Sequence, residues 1–208
     1  PPRSTLFPYT TLFRSNISRR VGVVGFFTFL SRIAGLARDS VMAWAFGATK
    51  IADAFYVAFR IPNLLRRFVA EGALTVAFVP VYTEYLKKSK KDALEAASVV
   101  FTYLSLFLTL LVAAGIIFAP LIVKLIAYGF ASDSQKFEMT VYLTRLMFPY
   151  IMLISLVALA MGILNSLKKF AAPAASPIFL NIAIIFGAVV LSKMFDFPAT
   201  GLAIGVLI

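Results

Sequence analysis

The 208-residue chain contains no cysteine and no histidine. Without thiols there is no disulfide framework and no thiolate nucleophile. Without imidazole the commonest general base is missing, and a Cys/His zinc site cannot be built. Acidic residues are scarce too, 9 against 20 Lys and Arg, and charged residues of both signs make up only 14% of the chain. A soluble domain usually carries about a quarter of its residues as charges. Here 61% of residues are hydrophobic and the mean hydropathy is +0.93, so the chain reads as an all-α polytopic membrane protein.

A formal net charge of +11 would also suit nucleic acid, so the placement of the charges decides. The basic residues cluster in short loops between apolar runs: Arg19 and Arg20 in "ISRR", Lys87, Lys88, Lys90 and Lys91 in "YLKKSKKD", Lys168 and Lys169 in "NSLKKF". The alternate connections, "GATKIAD", "YGFASDSQKFE" and "FDFPAT", are short and nearly neutral. That alternation is the positive-inside pattern. It places the N-terminus in the cytoplasm and selects membrane lipids, not nucleic acid, as the surroundings of the chain.

Residues 1–15, "PPRSTLFPYTTLFRS", with their near-duplicated "TLF", read as adapter- or vector-like sequence and are set aside from fold reasoning. From Asn16 onward, apolar segments long enough to cross about 30 Å of hydrocarbon follow one another. Spans are predicted at roughly 21–47, 52–85, 96–127, 139–164 and 174–194, with a sixth beginning near Ala199 and cut off at Ile208. Residues 16–208 would then hold about six helices of a longer protein. The second span is too long to be straight, since about 34 residues of helix measure about 51 Å. It must bend, tilt or break, with Pro62 and Gly72 as predicted hinges and Pro80 as a further interruption; Pro149 and Pro177 are predicted to kink the fourth and fifth spans.

Several ionisable residues fall inside these spans. Arg32 is eleven residues into the first, about 16 Å along the helix and near the bilayer midplane. Arg38 and Asp39 follow one to two turns later, and the seven-residue spacing puts Arg32 and Asp39 on one face with Gly35 between them. In the second span Asp53, Arg60, Arg67 and Glu71 fall near one stripe, while Arg66 points away from it.

An Arg at a helix centre costs about 2.5–3.5 kcal/mol, so Arg32, Arg38 and Arg66 together would cost about 8–10 kcal/mol in lipid. They are expected to face a wet interior. Arg32, Arg38, Arg60 and Arg66 outnumber Asp39, Asp53 and Glu71, which leaves a cationic remainder suited to an anion, above all a phosphate held by paired guanidinium donors. For Asp39, Asp53 and Glu71, ion pairs that merely pin two helices together are an equal reading, and Arg60 and Arg67 also suit a membrane interface. For Arg32, Arg38 and Arg66 the excess of one sign favours a ligand. Asn181 and Ser31 read as interhelical hydrogen-bond partners, and Trp44 as lipid-facing or interfacial.

The stretch "SRIAGLARDSVMAWAFGATKIADAFYVAFRIPNLLRRFVAEGALTVAFVPVYTEY" resembles the N-terminal region of the MurJ (MviN) lipid II flippases, relatives of the MATE drug exporters and polysaccharide flippases. The similarity rests on "SR..G..RD" in the first span, "ADAF.VAF..PNLLRR" and "AEGA...AFVP" in the second, and "FPYI.LISL....GILN" in the fourth, and extends over about residues 20–208. The resemblance implies the N-terminal lobe of a two-lobe, MATE-like transporter working by alternating access. It implies transfer of the undecaprenyl-diphosphate-linked peptidoglycan precursor, lipid II, from the cytoplasmic to the outer leaflet of the bacterial inner membrane. By the same resemblance Arg32, Arg38 and Arg66 match the functionally required cations, and Asp39, Asp53 and Glu71 their acidic partners. A C-terminal lobe of the same chain would supply a further Arg and the coupling to sodium or membrane potential, so no cofactor is expected in this segment. A related exporter, of another polyprenyl-linked sugar or a drug, is the alternative. A membrane enzyme acting on a prenyl diphosphate would need a clustered metal-binding acidic motif or a nucleophile with its base, and the sequence holds neither pattern.

Overall fold

The computed structural model describes residues 8–66 and 77–208, and among these no strand is present. Helix α1 (Pro8–Phe46) ends at Gly47, whose φ of 52° is open to glycine and whose N–H donates to the Ala43 carbonyl at 3.0 Å. Helix α2 (Lys50–Arg66) follows after a short turn in which Thr49 Oγ1 accepts from the Ala52 N–H. Pro62 lies inside α2 and is fully buried. Arg67, Glu71 and Gly72 lie outside the described residues, so the predicted second span is seen as α2 and, after the interval, α3 (Val79–Lys88). Pro80 sits in the first turn of α3, where a missing N–H leaves no helical bond unmade.

The predicted third span, continuous from 96 to 127, is instead broken. Helix α4 (Lys90–Ile117) stops, and α5 (Ala119–Ile126) restarts beyond Phe118. The cause is Pro120, which has no N–H to offer the carbonyl of Ile116 four residues earlier. Arg145 Nε donates to that carbonyl at 3.2 Å. A 3-10 turn (Tyr128–Ser132) leads into α6 (Ser134–Met147), then α7 (Tyr150–Ser166) beyond the break at Pro149. Helix α8 (Ala171–Val189) runs through Pro177 without interruption, and a second 3-10 turn (Leu191–Met194) leads to α9 (Pro198–Leu207).

Among the described residues, four segments are long and apolar enough to cross a bilayer: Val21–Phe46, Lys90–Ile117, Ser134–Ser166 and Ala171–Met194. The chain is an all-helical polytopic membrane protein. Because lipid is as apolar as Leu, close packing holds such helices together more than hydrophobic burial does. One packed cluster joins the ends of α1 and α2 to α6, α8 and α9 through Met42, Phe55, Leu143, Ile184 and Leu202. A second fixes the α6–α7 break, where buried Phe148 lies against Gly115 of α4; a Cβ at that glycine would overlap the ring. A third binds α3 to α4 and α7 around Phe78, Tyr82 and Leu159.

Helices α8 and α9 meet main chain to main chain. A Cβ on Gly187 would lie 2.8 Å from the Gly201 carbonyl, and one on Gly205 would lie 2.7 Å from the Ala183 carbonyl. Backbone meets backbone at this crossing, and only glycine leaves the room.

Candidate functional site

Helix α1 packs chiefly against α8. In its most apolar stretch no residue is buried, so most of its surface remains uncovered. Three of the nominated residues lie on it. Arg32 is exposed and has no hydrogen bond or ion pair among the described residues. Arg38 is half-buried, with 29% of its side chain exposed, and its guanidinium is held on two sides. Its Nε and Nη2 donate to Asp39 Oδ1 at 3.0 and 2.8 Å, and its Nη1 donates to Asn181 Oδ1 of α8 at 2.9 Å. Asp39 thus pairs with its immediate neighbour and not with Arg32, because a long Arg side chain can fold back onto the adjacent residue.

Asn181 is buried and bonds at both ends of its amide, since its Nδ2 donates to the Ser31 carbonyl at 3.3 Å. Ser31 and Arg38 are seven residues apart on one face of α1. The Ser31 carbonyl points toward the C-terminus and the Arg38 side chain leans back toward the N-terminus, so both converge at the level of Gly35. A Cβ on Gly35 would reach 3.8 Å from Asn181 Nδ2, ordinary contact. The two residues read from sequence as interhelical partners do meet.

Arg66 closes α2 as its last described residue, and Arg60 is exposed without a partner among the described residues. Asp53 has another neighbour: Lys136 Nζ lies 2.6 Å from its Oδ2. Beside that pair, Lys50 Nζ lies 2.6 Å from Asp133 Oδ2, and Lys136 also sits 4.1 Å from the centre of the Phe130 ring. Asp133 in addition caps α6 by accepting from the Lys136 N–H. The Lys50 ammonium first, and then the Lys136 backbone N–H, hold the Asp133 carboxyl below the usual carboxylate range. Loop residues that looked nearly neutral therefore interlock. Thr49 and Ile51 also share a groove of about 690 Å³ with Phe195 and Pro198, so all three near-neutral loops gather at one end of the bundle. Trp44 is exposed and contributes to the lining of that groove.

Sequence reasoning missed Lys50, Asp133, Lys136 and Arg145 as partners. A readable signal existed for the first three, an opposite order of charges at three-residue spacing in the two loops. For Arg145 the signal was Pro120. Among the described residues no group of three or more His, Cys, Asp or Glu gathers in a way that could hold a metal ion.

A family profile described as "Lipid II flippase MurJ" matches residues 42–208. The chain belongs to the lipid II flippase MurJ family. It is 46% identical over 194 residues to the lipid II flippase MurJ of Burkholderia cenocepacia, covering 93% of this chain and 38% of that protein. It is 47% identical over 175 residues to the probable lipid II flippase MurJ of Rickettsia prowazekii, covering 84% of this chain and 34% of that one. A solved structure described as MurJ in an inward closed conformation superposes with a TM-score of 0.73 at 35% identity, over 88% of this chain and 39% of that one. The segment thus spans little more than a third of the length of these MurJ relatives, and its helices follow the MurJ fold.

Proposed function

We propose that this chain forms the N-terminal lobe of a flippase that carries lipid II, as an undecaprenyl-diphosphate-linked peptidoglycan precursor, across the bacterial inner membrane by alternating access. The observation that carries the reading is the combination of MurJ-family membership with Arg32 and Arg38 on a spanning helix that the rest of the segment leaves largely uncovered. Hydrocarbon would penalise both guanidiniums, so the surface they occupy belongs against a wet cavity. Arg32, Arg38 and Arg66 engage the diphosphate and the adjacent sugar, with Asp39 and Glu71 offsetting part of their charge, while Asp53 is taken up by Lys136. The prenyl tail stays in lipid. No bond is made or broken.

In this reading the lysine-rich loops and the N-terminus face the cytoplasm, the interlocked loops face the opposite side, and a second lobe supplies coupling to sodium or membrane potential. Bending near Pro62 and Gly72 accompanies the switch between inward- and outward-open forms. The test is precursor export by the full-length protein carrying Arg38→Ala or Arg66→Ala. Export at the parental rate would overturn the roles assigned. Arg38→Lys is sharper, because loss of the planar fork predicts a defect that retained charge alone does not.

A further inference from the structure

We infer that Asn181 is a positioning residue: its side-chain carbonyl aims the Arg38 guanidinium so that a matched pair of N–H groups is presented to a phosphate of the substrate. This deepens the proposed function and rests on Arg38 being an anion ligand.

A guanidinium has five N–H donors. Asp39 takes the one on Nε and one on Nη2, and Asn181 takes one on Nη1. One N–H then remains on each terminal nitrogen; with Asn181 accepting the Nη1 hydrogen on the Cδ side, as the inference requires, these two point outward in parallel and match two phosphate oxygens. Asp39 alone leaves the guanidinium free to swing, because both residues sit on the same exposed helix and the carboxylate is itself 59% exposed. Asn181 comes from a different helix, is buried, and is fixed by its second bond to the Ser31 carbonyl. An amide locked in this way prevents Arg38 from turning its free edge toward α8.

The experiment is a double-mutant cycle in the full-length protein in nanodiscs, with lipid II as the probe. The variants are Asn181→Leu, Arg38→Lys and the two combined, repeated with Asn181→Ala, whose small side chain cannot crowd α1. Hydrogen bonds to charged groups are strong enough that Asn181→Leu should weaken binding about ten-fold or more in the parent. In the Arg38→Lys background it should cost about two-fold at most, since the fork it aims is already gone. If the two losses multiply in both cycles, or if neither Asn181 variant weakens binding, Asn181 does not act through Arg38 and the inference falls while the ligand role of Arg38 stands. If Arg38→Lys binds lipid II as the parent does, the ligand reading and this inference fall together.

Discussion

The interlocked loops offer a prediction whose sign can be worked out from geometry. Asp53 and Lys136 are 2.6 Å apart, with side chains 57% and 18% exposed. At that distance the Coulomb energy is about 1.6 kcal/mol in water and about 6 kcal/mol at an effective dielectric of 20. Exposure of the carboxylate, side-chain ordering and desolvation of the lysine bring the net coupling down to about 1 kcal/mol, the upper end for exposed pairs. Asp53→Lys should therefore destabilise the lobe, because it sets two ammonium groups against each other and places a cation in the first turn of α2, where the helix dipole favours an anion. Lys136→Asp should destabilise it as well, with a further loss of about 0.5–1 kcal/mol from the contact with Phe130. The double reversal recreates the attraction, aligned with Lys50 on α2 and Asp133 on α6, and should recover about 1 kcal/mol or more relative to the sum of the singles. The assay is thermal unfolding of the full-length protein in detergent at low salt and at about 1 M salt, where the screening length falls to about 3 Å. A double reversal as unstable as the singles added together, or a coupling that salt leaves unchanged, would refute the reasoning.

Other consequences follow from the same structure. The depressed carboxyl of Asp133 stabilises the fold fully above its unfolded value of about 3.8, and this contribution should fade as pH falls through the lower folded value. Unfolding measured across that acid window should show Asp133→Asn less stable than the parent at neutral pH and equal to it at the acid end. Gly115→Ala should destabilise by about 1–3 kcal/mol, because the added methyl overlaps the Phe148 ring, and combining it with Phe148→Leu should recover part of the loss in the same unfolding assay. Arg145→Leu should cost about 1 kcal/mol by leaving the Ile116 carbonyl without its donor, and hydrogen exchange should show earlier opening around residues 113–122.

Much of the fold is legible in the sequence. Apolar run length located α1, α4, α7 and α8, and the positive-inside alternation grouped the loops that gather at one end. Pro149 announced the α6–α7 break because a missing donor is visible in sequence. Pro120 carries the same signal yet was absorbed into an apolar run, since hydropathy measures the length of a segment and not the fate of its hydrogen bonds. The site divides the same way. Arg38, Asn181 and Ser31 each stood out as polar residues in apolar surroundings. Which of them meet could not be read, because Arg38 and Asn181 are 143 positions apart and the angle between α1 and α8 sets their contact. Asp53 and Lys136, 83 positions apart, were hidden for the same reason.

The glycine crossing of α8 and α9 has a mechanical meaning. Side chains at an interface can rotate to absorb a small shift, but Gly187 against Gly201 and Gly205 is main chain on main chain, with no adjustable part between. The two helices therefore form one stiff beam. Asn181 lies two residues before Ala183 and six before Gly187 on α8, so the amide that bonds Arg38 is carried by a helix in direct main-chain contact with α9.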